Sequence, residues 1–119
     1  MSYPYFYFYV IILQIVPDSP PTNITTTTGN STTFSVLWNP VTQEDRNGII
    51  LGYRVSLFDT RGISLRNVTV WNSSQSSYQF QGLDVWTNYS VKMCAFTSKG
   101  NGPYSSILLA NTDEDGKIK

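Results

Sequence analysis

Five asparagines stand two residues ahead of a serine or threonine: Asn23-Ile24-Thr25, Asn30-Ser31-Thr32, Asn67-Val68-Thr69, Asn72-Ser73-Ser74 and Asn88-Tyr89-Ser90. This spacing offers an amide nitrogen for N-glycosylation with a hydroxyl two positions on. With 9 asparagines and 27 serines and threonines in 119 residues, composition alone gives about two such triplets. The excess makes a secretory or cell-surface address the expectation. Asn30 and Asn72 fall in expected loops and are the best-placed acceptors. Asn67 falls in an expected edge strand, Asn23 opens another, and a glycan on Asn88 has to point outward.

Most other chemistry is excluded by what is missing. The chain has no histidine, which removes Ser-His-Asp and Cys-His catalysis and most zinc sites. The eight carboxylates (Asp18, Glu44, Asp45, Asp59, Asp84, Asp113, Glu114 and Asp115) are scattered, with no pocket former for a glycosidase pair. There is no phosphate-cradling glycine loop, no metal-ligand spacing and no basic stripe. No catalytic residue, metal or cofactor is expected, and no nucleic-acid partner, since eight basic and eight acidic residues leave a net charge of zero. Cys94 is the single cysteine, so no internal disulfide supports the fold. It reads as an unpaired, half-buried thiol on the outward side of a strand. Glu44 to Asn47 reads as a solvated loop.

The elements that must carry these residues read as strands. One hundred and nineteen residues suit one domain. No stretch of the main body has a helical apolar stripe, and threonine, valine, isoleucine and aromatics favour strands. Pro17, Pro20 and Pro21 make a stiff, extended start. Asn23 to Thr28 is a short strand, ended by a Gly29-Asn30-Ser31 turn. Phe34, Val36 and Trp38 then share one face, and Pro40 ends the run. Arg46-Asn47-Gly48 is a turn. Ile49 to Phe58 is a long strand, with Ile50 out of parity with Tyr53, Val55 and Leu57, which predicts a bulge or bend at Gly52. Ile63 to Val70 is an edge strand. Tyr78 and Phe80 mark a short one, followed by the corner Gly82-Leu83. Tyr89, Val91, Met93 and Ala95 alternate cleanly. Lys99 to Pro103 is a hairpin loop, and Tyr104 to Ala110 closes the sheet. The expected core is Phe34, Val36, Trp38, Ile50, Tyr53, Val55, Leu57, Tyr78, Phe80, Leu83, Tyr89, Val91, Met93 and Ala95. Leu37 and Phe96 face outward, to cover each other or a neighbouring domain. Seven short strands with turns every eight to twelve residues predict an all-β sandwich.

The ends differ in composition. Residues 1–16 hold six of the 17 aromatics and then an apolar run too short to span a membrane, which takes ~20 residues. They are expected to lie outside the domain, as a signal-like segment or a fragment end, although no positive charge precedes the run and no small-residue cleavage site follows it. Residues 114–119 are expected to be a polar tail or linker stub, leaving 17–113 as the domain.

Several motifs in order resemble the fibronectin type III family. They are Val16-Pro17 with Pro20-Pro21-Thr22-Asn23-Ile24-Thr25, then Val36-Leu37-Trp38-Asn39-Pro40, then Asn47-Gly48-Ile49-Ile50-Leu51-Gly52-Tyr53-Arg54-Val55. Leu83 with Thr87-Asn88-Tyr89-Ser90-Val91 follows, and Ala95 with Gly100-Asn101-Gly102-Pro103-Tyr104-Ser105 closes the set. The resemblance covers about four-fifths of the chain. It implies a seven-stranded, antiparallel, immunoglobulin-like sandwich of two sheets, three strands on four. It also implies a structural core on Trp38, Tyr53, Leu83 and Tyr89, with Leu83 and Tyr89 forming a tyrosine corner. Val85-Trp86 replaces the Pro-Gly of many members and is similar to domains of adhesion and receptor-phosphatase ectodomains. Some members present Arg-Gly-Asp from the loop that here holds Lys99, Gly100 and Asn101. That triplet is absent, so integrin recognition is not implied, and these three residues stand as a possible partner loop. The resemblance implies a non-enzymatic extracellular module, a spacer and protein-interaction unit of an adhesion or receptor-like protein. Its partners would be other proteins and neighbouring domains in a tandem array, with membrane attachment only through a parent chain. An accessory domain of a secreted carbohydrate-active enzyme and an intracellular cytoskeletal array module are the alternatives.

Overall fold

The computed structural model describes residues 15–114, so the expectations for residues 1–14 and 115–119 lie outside it. Eight strands follow in order: β1 Thr22–Asn30, β2 Thr33–Asn39, β3 Gly52–Phe58, β4 Ser64–Val70, β5 Ser77–Phe80, β6 Asn88–Thr97, β7 Gly100–Asn101 and β8 Leu108–Asn111. A 3₁₀ turn, Gln43–Asp45, interrupts the loop after β2. All pairings are antiparallel. One sheet is ordered β1-β2-β5; the other is β4-β3-β6, with β7 and β8 both pairing β6. This is the expected three-on-four sandwich, with β7 and β8 together forming the last strand.

Alternation explains the core. Phe34, Val36 and Trp38 of β2 face Tyr53, Val55 and Leu57 of β3 and Tyr89, Val91, Met93 and Ala95 of β6, all buried. The rings interlock: Phe34 lies 5.5 Å from Phe80 and 6.0 Å from Tyr89, and Trp38 lies 5.2 Å from Tyr53. Such tilted aromatic pairs contribute about 1 kcal/mol beyond their buried area. Val41 and Val70 complete the cluster, while Ile50 and Tyr78 are only partly buried against it.

The structure departs from the sequence reading at several places. β1 continues through Gly29 and Asn30, because the Asn30 carboxamide organises the turn beyond it: its Oδ1 accepts from the Thr32 N–H (2.9 Å) and the Thr33 hydroxyl (3.0 Å). β3 begins at Gly52 instead of bulging there, so Ile50 is out of parity because it precedes the strand. β8 is shorter than the expected Tyr104 to Ala110. Ahead of it, the Ser105 hydroxyl accepts the Met93 N–H (3.1 Å) in place of a backbone carbonyl. Cys94 is fully buried and Phe96 is 2% exposed, although both lie on the outward side of β6. Leu37 lies on the outer face of the other sheet, so it cannot cover Phe96.

Candidate functional site

Two features fix the ends of the sandwich. The chain enters at the pole formed by the 40–51 loop and the end of β6. Ile15 donates its N–H to the Asn47 carbonyl (3.0 Å), and its own carbonyl accepts the Thr97 hydroxyl (2.9 Å). Asn47 Nδ2 holds the Val16 carbonyl (3.2 Å), and Asp18 N–H reaches the Asp45 carbonyl (2.7 Å). Ile15 and Val16, expected outside the domain, are therefore bonded to it.

The chain leaves at the opposite pole, beside the corner between β5 and β6. Leu83 is buried there, and the Tyr89 hydroxyl accepts the Asp84 N–H (2.9 Å). That is the implied tyrosine corner, made by residues five apart across the turn. Thr112 locks the exit to it. Its buried hydroxyl donates to the Asp84 carbonyl (2.7 Å) and accepts the Thr87 N–H (3.0 Å). Trp86 N–H reaches the Asp113 carbonyl (2.9 Å), and Asp113 N–H reaches the Asn30 carbonyl (2.9 Å). Sequence reasoning missed Thr112, whose signal was its parity with Leu108 and Ala110. These bonds hold Trp86 at φ +45°, a left-handed conformation unusual for a bulky residue, with its side chain exposed.

The outer face of the four-stranded side carries cations on rings. The Arg54 guanidinium lies 4.2 Å above Phe96, whose ring meets Trp71 edge-on at 5.1 Å. Arg54 also donates to Asn101 Oδ1 (2.6 Å) and the Thr69 hydroxyl (2.8 Å). Lys92 Nζ lies 4.6 Å from the Tyr104 ring and 5.5 Å from Phe58. This layer is the lid that buries Cys94 and Phe96. Burial pushes the Cys94 thiol up from its ordinary value, against the weaker opposing pull of Tyr104 and Arg54. Burial likewise raises Tyr104, reinforced by the sulfur beside it. A thiol held neutral and covered is a poor nucleophile. Cys94 is expected to react with iodoacetamide at least about tenfold more slowly in the native chain than in denaturant. Equal rates, followed by mass spectrometry, would show that the lid does not exist.

The possible partner loop is short and braced. Gly100 and Asn101 pair with Thr97 and Phe96, Lys99 N–H bonds the Thr97 hydroxyl (3.2 Å), and Asn101 holds Arg54. Lys99 and Asn101 are exposed. All five sequon asparagines are exposed as well: Asn23, Asn30, Asn67, Asn72 and Asn88. Asn30 and Asn72 share one local geometry, each carboxamide oxygen accepting the N–H two residues on, from Thr32 and Ser74 (2.9 and 3.0 Å). Asn67 lies on the β4 edge with its Nδ2 3.3 Å from the Ser64 hydroxyl. Asn88 starts β6 opposite Asn111, and Asn23 sits at a register irregularity of β1 with φ +50°.

A compact two-sheet module with its ends at opposite poles, a tyrosine corner and the β1-β2-β5 and β4-β3-β6-β8 sheets defines an immunoglobulin-like β-sandwich. The fibronectin type III domain model matches residues 19–110, and the chain belongs to that family. It is 37% identical over 107 residues to the cell adhesion molecule DSCAM of Gallus gallus, covering 87% of this chain and 5% of that protein. It is 39% identical over 104 residues to the receptor-type tyrosine-protein phosphatase F of Mus musculus, covering 86% and 6%. The chain thus spans about a twentieth of the length of these curated relatives. Among solved structures, the fn3 domain of human contactin 1 superposes with a TM-score of 0.75 at 24% identity, covering 100% of this chain and 98% of that one. The domain is similar to those of cell-surface adhesion and receptor proteins.

Proposed function

We propose that this chain is a non-enzymatic, extracellular, N-glycosylated module, acting as a spacer and protein-interaction unit of an adhesion or receptor-like protein. The observation that supports it best is the bonding of both ends. The Ile15–Asp18 segment is held by Asn47, Thr97 and Asp45, and the Thr112–Asp113 segment by Asp84, Trp86, Thr87 and Asn30. Force or orientation arriving at one pole is transmitted through the strands to the other, a distance of ~25 Å for strands of seven or eight residues at ~3.3 Å each. Neighbouring domains in an array gain reach and avidity from such rigid units. The five exposed sequons fit the same setting, with Asn30 and Asn72 the foremost acceptors.

The test is expression of the 119-residue chain behind a cleavable secretion signal, followed by glycosidase digestion of the secreted product. The expected outcome is a ladder of mobility shifts that loses its main steps in an Asn30→Gln, Asn72→Gln double variant. A secreted product whose mobility the enzyme does not change would remove the glycoprotein part of the reading. A folded chain retained inside the cell would remove the extracellular part.

A further inference from the structure

A cleft of about 660 Å³ opens at the pole where the chain enters, lined among others by Pro40, Arg46, Ile50, Tyr53, Ser73 and Ser74. Its size lies within the range of small-ligand sites, ~300–1,000 Å³. Arg46 is half-buried, and its Nε donates to the Val41 carbonyl (3.0 Å), which fixes the stem and leaves the two terminal nitrogens for another acceptor. Among the described residues the only ion pair is Arg61–Asp59, so no carboxylate neutralises Arg46. The nearest acidic neighbour in sequence, Asp45, turns its Oδ2 to the Ser19 and Thr42 hydroxyls (3.0 and 3.1 Å) and forms no ion pair with Arg46.

Tyr53 forms the floor of the cleft, and burial raises its phenol against the opposing pull of the Trp38 indole N–H directed at it and of the Arg46 charge. The Tyr53 hydroxyl in turn donates to the Ser73 carbonyl (2.7 Å), which ties the floor of the cleft to the 71–76 loop. An acceptor arriving in the cleft meets a guanidinium held at its Nε and paired with no carboxylate among the described residues.

We propose that this cleft binds a carboxylate side chain presented by an extended segment of a partner protein. Arg46 takes the carboxylate through its terminal nitrogens, the Ser73 and Ser74 hydroxyls flank it, and Pro40 and Ile50 receive the adjoining apolar residue. Pro40, Ile50 and Tyr53 beside the arginine favour a peptide carboxylate with apolar neighbours over a small inorganic anion. This inference rests on the reading of the domain as an interaction module and supplies the chemistry of its partner. It also moves the recognition surface from the braced Lys99–Asn101 loop to the loop that the sequence presents as solvated.

The test is titration of the ¹⁵N-labelled chain with the blocked peptide Gly-Ile-Glu-Ile-Gly and with its glutamine counterpart. The expected result is saturable shifts at Arg46, Asn47, Ser73, Ser74 and the Trp38 indole N–H. Affinity should fall about tenfold, for the glutamine peptide and for Arg46→Gln alike, as loss of a charge-assisted bidentate contact requires. Ser74→Glu, which supplies the cleft with a carboxylate of the chain's own, should abolish binding and guards against a fold defect in the first variant. Absence of shifts, shifts spread equally over Arg61, Lys92 and Lys99, or unchanged affinity in an Arg46→Gln chain of native melting temperature would overturn the proposal. Secretion and glycosylation are read separately, so loss of the cleft leaves the module reading standing and the reverse holds too.

Discussion

Replacing Trp38 with alanine is expected to remove a large share of the domain's stability. The indole is 3% exposed and sits between the sheets, its ring 5.2 Å from that of Tyr53. Deleting a buried aromatic of this size costs about 3–5 kcal/mol, the lost transfer energy plus the cavity left behind. A domain of this size has a net stability of about 5–15 kcal/mol. Cys94 is the single cysteine, so no disulfide restrains the unfolded chain and the packing deficit falls on the core alone. Trp38→Phe keeps a ring against Tyr53 and leaves a smaller cavity, so it should cost less than half of the alanine change. Urea unfolding followed by circular dichroism measures both. An unfolding free energy for Trp38→Ala that differs from wild type by less than about 1 kcal/mol, at unchanged slope, would mean that the indole is not a core group.

The same residues show what alternation encodes and what it does not. Period-two patterning assigns a side chain to one side of a sheet, and on that basis Phe34, Val36, Tyr53, Val55, Tyr89 and Met93 were legible as core. It does not say whether the outer side is covered. Cys94 and Phe96 read as outward and partly exposed, yet Arg54, Tyr104 and Trp71, distant in sequence, roof them over. Local turn chemistry was legible where one residue dictates it, as at Asn47-Gly48, where φ is +55° and then +148°. It failed where a side chain replaces a backbone partner. The Ser105 hydroxyl shortens β8, and the Asn30 carboxamide lengthens β1. The cleft was the least legible feature. Arg46 looks like one member of a charged loop until Asp45 is seen to turn toward Ser19 and Thr42, and Tyr53 and Ser73 are seen to lie beside it.

Gly52 is the sharpest case of a residue whose type was legible and whose reason was not, and it carries the second large effect. Its backbone needs no special conformation, since it is not among the glycines with positive φ. What it lacks is room. A Cβ at this position would overlap the Val70 carbonyl oxygen and meet Phe96 Cε1 at 3.2 Å. Val70 is buried and paired to Tyr53, and Gly52 is paired to Phe96, so neither neighbour can retreat without disturbing a ladder. Gly52→Ala is therefore expected to cost about 3 kcal/mol, the upper part of the range for an overpacked core. Gly62 supplies the contrast. It sits at φ +83° with nothing within 4 Å of its would-be Cβ, so alanine there meets only backbone strain, about 1 kcal/mol. Composition treats the two glycines alike, and backbone conformation alone would make Gly62 the costlier one to replace. Only the overlap argument ranks Gly52→Ala well above Gly62→Ala. Urea midpoints of the two variants in parallel decide it, and equal losses would mean that the β3–β4 pair yields to the added methyl. Hydrogen exchange adds the location. The Leu51 N–H, bonded to the Phe96 carbonyl at 2.9 Å, should lose protection first, because it is the rung next to the displaced strand.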